Sequence, residues 1–283
     1  MRPGHQHRLL RTRITNLLIH AILIAGAVFM LLPMLWMLAT SFKLPDEIVV
    51  WPPYLLPRKP TWANYQGLFA AVPFVRFLVN SLFLSLAAML SVIITSAIAG
   101  AVFAKYNFPG RTILFVLVLA TAIVPFEGYM IPLYIQLVDI HWINTYQAII
   151  LPTLVMSFGI FLVRQHIASA IPDELMEAAR VDGASEWWTF RRVLVPLSGN
   201  AISAVGILAF IQGWTAFLWP LLVVNNQHLF NTEVGLRAFM FRFSTDYGKL
   251  MAGSTISTLP MLIIFLILRR RIIENMALTG IKG

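Results

Sequence analysis

The sequence predicts an all-α integral membrane protein with six transmembrane helices, and three observations carry that expectation. Hydrophobic residues make up 59% of the 283 and charged residues only 12%, about half the ~25% charge of an ordinary soluble domain. Six apolar runs are each long enough to cross ~30 Å of hydrocarbon at about 20 residues per helix. The basic residues behind the net charge of +9 sit at the ends of those runs rather than among aromatics on one polar face, which argues for orientation signals and against nucleic acid. Cysteine is absent, which excludes disulfides, thiolate catalysis and cysteine-ligated metals.

Residues 1–16 form a basic tail. The first span, about Leu17–Thr40, follows it as an uncleaved helix, since the apolar run is too long for a signal-peptide core and no small-residue cleavage site follows. Residues 41–73 form an extracytoplasmic loop rich in Pro, Trp and Tyr, suited either to docking an external partner or to anchoring at the interface. The second span, about Phe77–Ala104, ends in SAIAGAVFA, whose small residues let helices approach closely in lipid. The third, about Thr112–Leu137, holds Pro125 and Pro132 and is expected to be kinked or unwound in its outer half, either to line a pathway or simply to pack. The fourth, fifth and sixth are about Tyr146–Val163, Ala201–Val224 and Met251–Leu268, and residues 269–283 form a C-terminal tail. With the N-terminus inside, fourteen Lys and Arg fall on inner segments and seven on outer ones, so both termini are expected in the cytoplasm.

Little in the chain points to chemistry. No glycine-rich phosphate loop with its lysine is present, and neither HExxH nor GxSxG occurs. Glu127 is the one ionisable residue well inside a span, roughly 22 Å from its inner end at 1.5 Å per residue. An acid so placed is either a pathway or gate residue or a group solvated near the outer interface. Gln212, Trp214 and Trp219 in span five could stack on and bond a sugar, or could equally be interhelical packing.

The polar insert between spans four and five, Pro172–Pro196, reads PDELMEAARVDGASEWWTFRRVLVP and carries five of the twelve acidic residues. Pro172 suits the first position of a helix whose positive end Asp173 and Glu174 complement. Asp182-Gly183 should stop that helix. Ser185 should cap a second one, Glu186–Val193, that Pro196 ends. The acidic first half sets this hairpin apart from interfacial helices, which are basic on their polar face. It is therefore expected to dock a soluble partner.

Glu177-Ala178-Ala179, then Gly183 four residues on, then nine residues to Val193-x-Val195-Pro196, resemble the EAA loop of binding-protein-dependent ABC importer permeases. Val193 and Val195 stand where that family has Ile and Leu. The flanking IPDELMEAARVDGASEW is similar to the sugar-importer branch, the maltose-type second permease. Asn80-Ser81, FPGR (Phe108–Arg111), Pro125, Ile131–Tyr134, Asn144-Thr145-Tyr146, the stretch from Trp214 to Leu221 and the Leu278–Gly283 tail extend the resemblance over nearly the whole chain. The tail has fewer small residues than that branch usually shows.

The resemblance implies a type I importer core (residues 74–268, spans two to six) with a peripheral first span. It implies a cytoplasmic coupling helix within 172–196 that seats in an ATPase groove. Glu177, Ala178, Ala179, Gly183 and Pro196 are its ATPase-coupling residues, with Glu177 pairing a basic residue of the ATPase. It implies a second homologous permease, two copies of a cytoplasmic ATPase that binds the ATP, an extracytoplasmic sugar-binding protein, and a C-terminal segment from Asn275 to Gly283 that reaches toward the ATPases. The chain itself is expected to need no cofactor and to catalyse nothing. Peptide or phosphate permeases are the alternative within this reading. An ion-coupled transporter using Glu127 is the rival outside it, and lacks an inverted repeat or further intramembrane charges in its favour.

Overall fold

The computed structural model describes residues 3–240 and 245–279, with side chains at 15–240 and 245–267. The described residues form fifteen α-helices in chain order. They are α1 (Pro3–Ser41), α2 (Pro45–Ile48), α3 (Ala63–Ala71), α4 (Phe74–Lys105), α5 (Arg111–Ile123), α6 (Phe126–Asp139), α7 (Tyr146–Ile150), α8 (Ser157–Ala170), α9 (Glu174–Val181), α10 (Glu186–Thr189), α11 (Val195–Leu197), α12 (Gly199–Trp214), α13 (Leu218–Val223), α14 (Thr232–Leu236) and α15 (Tyr247–Thr279). The tail residues 280–283, and with them the end of the expected C-terminal contact, lie outside the described residues.

Four helical stretches are long and apolar enough to cross a membrane alone: Thr15–Ser41, Phe74–Lys105, Tyr146–Ala170 and Tyr247–Ile267. The third expected span is broken at Val124-Pro125 into α5 and α6, which meet at 96°. The proline that breaks it is Pro125; Pro132 is carried inside α6. The fifth span also differs from expectation. α12 ends at Trp214, Thr215–Phe217 leave the helix, and α13 resumes at Leu218. The polar helix Glu186–Leu197 meets α12 at 77°. Counting each bent pair as one span brings the total to six.

The chain divides into two compact units, residues 1–72 with 239–256 and residues 73–238 with 257–283. In the first, every residue of α1 from 15 to 35 is exposed. A helix this apolar all round is stable only where lipid or another protein covers it. The predicted loop after it contains α2 and α3 and is knotted by polar bonds. The Asn64 amide donates to the carbonyls of Ser41 (2.9 Å) and Lys43 (2.7 Å). Lys43 is fully buried, with its ammonium bonded to the Tyr54 carbonyl and 4.2 Å from the centre of the Trp36 ring. Burial pushes the Lys43 ammonium below the usual lysine value.

The second unit is built on α4, which packs against α8 and α12. Small residues set the separations. A Cβ on Gly100 would stand 2.8 Å from Val163 of α8, one on Gly159 would stand 2.6 Å from the Ser96 hydroxyl, and one on Gly213 would stand 2.9 Å from the Ser85 Cα. The SAIAGAVFA stretch thus works as expected, with Ser96, Ala97, Gly100 and Ala101 buried. One apolar core runs from Val92, Ala101 and Val163 through Val205 and Ala209 to Ile171, Met176 and Leu194 in the polar insert.

Overpacking at such a crossing costs about 1–3 kcal/mol. Gly100→Leu should therefore lower the thermal unfolding midpoint of the detergent-solubilised protein. Gly26→Leu, with nothing within 4 Å of its added Cβ, should leave it unchanged.

Candidate functional site

The polar insert folds as a helix, a tight turn and a second helix. α9 starts at Glu174, with Asp173 at its cap and Pro172 outside it; Asp173 is bonded elsewhere and offers no side-chain cap. The helix closes on a two-bond left-handed turn. The Ala184 N–H donates to the Ala179 carbonyl (2.9 Å) and the Gly183 N–H to the Arg180 carbonyl (3.0 Å), with Gly183 at φ +75°. A non-glycine residue held there costs about 1–2 kcal/mol. This geometry accounts for the spacing of Ala179 and Gly183: the alanine carbonyl is the acceptor that the post-glycine N–H must reach. It also sorts the three residues before it. Met176 and Ala179 are buried, whereas Glu177 and Ala178 face out beside Glu174 and Val181.

Ser185 caps the second helix as expected, its Oγ accepting from the Trp188 N–H at 3.2 Å. The helix then runs on past Pro196 to Leu197 through one π-turn, Phe190–Leu194, in which the Val195 N–H bonds the Phe190 carbonyl. Proline lacks an N–H and its ring crowds the carbonyl four residues back. The wider π-turn gives that ring room, so Pro196 sits exposed in the last turn and does not end the helix. Trp187, stacked on Phe190 at 5.3 Å, is 63% exposed and Trp188 is half exposed, so the second helix adds apolar surface to the hairpin.

Two consecutive residues at the end of α4 grip both halves of this hairpin. The Lys105 side chain is 3% exposed, and its ammonium donates to the Ile171 carbonyl and to Asp173 Oδ1, each at 2.5 Å. The hydrogen bond from Lys105, and then its charge, hold the Asp173 carboxyl below its usual value. The Tyr106 hydroxyl donates to Glu186 Oε2 at 2.5 Å, and Arg180 Nε donates to Glu186 Oε1 at 3.0 Å. Burial, with help from the bond to Glu186, pushes the Tyr106 hydroxyl up to about 12, so it stays a donor at every physiological pH.

A cavity of about 460 Å³ lies between α4, α6, α12 and α13. Glu127, in the first turn of α6, Gln212 and Trp219 all line it, together with Phe126, Thr153 and Asn231. Trp219 stands edge-on to Phe126 at 5.4 Å and 89°, with its indole N–H on the Ala148 carbonyl at 2.9 Å. Trp214 does not line the cavity. It is buried against Phe210, and its indole N–H bonds the Ser257 carbonyl at 3.1 Å. Among the described residues no cluster of three or more His, Asp or Glu could hold a metal ion.

Residues 93–276 match the family model described as binding-protein-dependent transport system inner membrane component. The chain belongs to this family. It is 35% identical over 228 residues, 80% of this chain and 81% of the relative, to an arabinooligosaccharides transport system permease protein of Bacillus subtilis. It is 31% identical over 94% of its length, and 97% of the relative, to an sn-glycerol-3-phosphate transport system permease protein of Brucella abortus. A solved structure titled as a bacterial ABC transporter involved in the import of the acidic polysaccharide alginate superposes with a TM-score of 0.80 at 19% identity, over 91% of this chain and 96% of that one. That likeness carries the permease fold.

Several site residues of the permease escape a reading of its sequence. Asn231 is the chief one. Its amide donates to the Ala216 carbonyl at 2.5 Å, satisfying backbone freed where α12 breaks, while its Oδ1 accepts from the Val234 N–H to cap α14. The Asn-Thr-Glu sequence ahead of an apolar run is a capping signature that could have flagged it. The family-like polar pairs also gain roles. Asn80 donates to the carbonyls of His228 and Phe230 and accepts from the Tyr146 hydroxyl. Ser81 bonds Thr232, and Asn144 Oδ1 accepts from the N–H groups of Asn225 and Asn226.

The Lys105 grip sets an expectation for acid. A carboxyl whose value is lowered on folding adds stability in full above its unfolded value, and that contribution disappears as pH falls through the lowered one. Glu186, held below its usual value by Tyr106 and Arg180, adds a second such contribution, so hydrogen exchange in α9, corrected for intrinsic rate, should be flat from neutral pH down to 4.5 and rise below it, more steeply below 3.8. Lys105→Met, which leaves the Ile171 carbonyl without its donor, should raise exchange throughout Ile171–Ala184 at neutral pH.

Proposed function

We propose that this chain is the membrane-spanning permease subunit of an ATP-driven importer of carbohydrates, set in the plasma membrane with both termini in the cytoplasm. The observation that carries the proposal is the form of the polar hairpin. An acid, Glu177, is turned outward from a short helix on which Ala178 and Val181 are also exposed, and is backed by buried Met176 and Ala179. Such a surface suits a groove with a basic residue in it, and a chain without a phosphate-binding loop needs a partner to supply ATP hydrolysis. In this reading ATP binds to two copies of a cytoplasmic ATPase. A second, related permease completes the pathway, and an external binding protein delivers the cargo. Closure of the ATPases moves the hairpin, and Lys105 and Tyr106 pass the movement to α4.

Fourteen inner against seven outer basic residues support the orientation. Relatives named for arabinooligosaccharides, diacetylchitobiose and lactose support a saccharide cargo. The cavity suits one as well, because Trp219 and Phe126 offer ring faces and edges for apolar sugar surfaces beside the Gln212, Asn231 and Glu127 side chains.

The test is coupling. In vesicles reconstituted with the whole transporter, Glu177→Lys should leave ATP hydrolysis measurable while binding-protein-dependent uptake falls by at least about tenfold, the equivalent of losing one charge-assisted contact. Undiminished uptake by a chain carrying both Glu177→Lys and Gly183→Pro would show that the hairpin is not the coupling element.

A further inference from the structure

The chain carries a net charge of +9, yet among the described residues that line the cavity one alone is ionisable, and it is an acid. Among the described lining residues there is no Lys, Arg or His; the remaining polar groups are the neutral Thr153, Gln212 and Asn231. Neither the Glu127 nor the Gln212 side chain is engaged in a hydrogen bond or ion pair among the described residues. Their side chains border open volume instead of each other or the wall. The placement of Glu127 matters as much as its charge. It lies in the first turn of the 14-residue α6, where the positive end of a helix dipole points at the cavity rim, and Pro125 at the cap supplies no side-chain acceptor. A helix start of this kind would attract a phosphate or carboxylate. Here the chain's own carboxylate already occupies that field.

We propose that Glu127 makes this cavity a charge filter that admits neutral or amine-bearing saccharides and rejects anionic ones such as uronides and sugar phosphates. The inference rests on the reading of the chain as a carbohydrate permease and narrows its substrate class. An anionic group within a few ångströms of Glu127 finds no cation among the described lining residues to offset the repulsion, and the apolar walls of Val92, Ile149 and Met156 screen it poorly. Hydroxyl groups meet no such penalty and find donors and acceptors on Gln212 and Thr153. An ammonium group gains from the same field.

The absence of cysteine makes the field measurable without knowing the substrate. With Thr153→Cys as the sole thiol of the chain, the intact transporter in membrane vesicles is treated with a cationic trimethylammonium thiosulfonate or an anionic sulfonate thiosulfonate. Each rate is divided by that of the same reagent with a small free thiol. The cationic reagent should be favoured by about tenfold or more. Glu127→Gln should remove most of that preference and Glu127→Lys should reverse it. Taking the ratio within one preparation cancels differences in folding or abundance. A preference unchanged by Glu127→Gln overturns the proposal. In a second arm, cells with and without the gene are offered labelled neutral, amino and uronic disaccharides. Gene-dependent uptake of the uronic sugar at the rate of the neutral one also overturns the filter while leaving the permease reading intact. If no saccharide requires the gene, the carbohydrate reading falls, and the thiol ratio still decides whether the filter exists.

Discussion

Close approach along α4 is the constraint on which the second unit depends. Lipid tails are as apolar as leucine, so helices in a membrane gain nothing from simply burying grease and must gain from fit. α4 meets this with small or short residues on the faces that touch α8 and α12: Ser85 against Gly213, Ser96 against Gly159 and Gly100 against Val163. Further polar contacts sit at its two ends. Asn80 and Ser81 bind the segment His228–Thr232, and Lys105, with Tyr106 just beyond, binds the hairpin.

The two broken helices follow a related rule. Unwound backbone at membrane depth must find partners within the protein. The break after Trp214 meets it through the Asn231 amide on the Ala216 carbonyl. The break at Val124-Pro125 meets it by starting α6 afresh, with Glu127 in the first turn. Both breaks border the same cavity. Irregular backbone and open volume therefore coincide, as they must if the freed groups are to avoid lipid.

Much of this was legible in the sequence because it depends on local order. Apolar run length gave the helices, Pro125 gave one break, and the order of acid, alanines and glycine gave α9 and its turn. Glu127 stood out because an acid is rare inside an apolar run. What could not be read depends on residues far apart. The break at Thr215–Phe217 has no proline within it, and Asn231, fifteen residues beyond Ala216, satisfies it. Trp214 and Trp219 are the same residue five positions apart, and only the break between them puts one at the cavity and the other against Ser257. Lys105 and Asp173 are separated by 68 positions, and nothing local marks either as half of a pair. Pro196 misled for a different reason. Its usual meaning as a helix terminator holds for an α-turn, and the chain met it with a π-turn.

The grip of Lys105 and Tyr106 on the hairpin gives α4 the properties of a lever. At 1.5 Å per residue its 32 residues form a rod about 48 Å long. A tilt of about 5° imposed at one end would sweep the other through roughly 4 Å, more than the width of a water molecule. A small tilt imposed at the hairpin would therefore arrive enlarged at Asn80 and the carbonyls it holds.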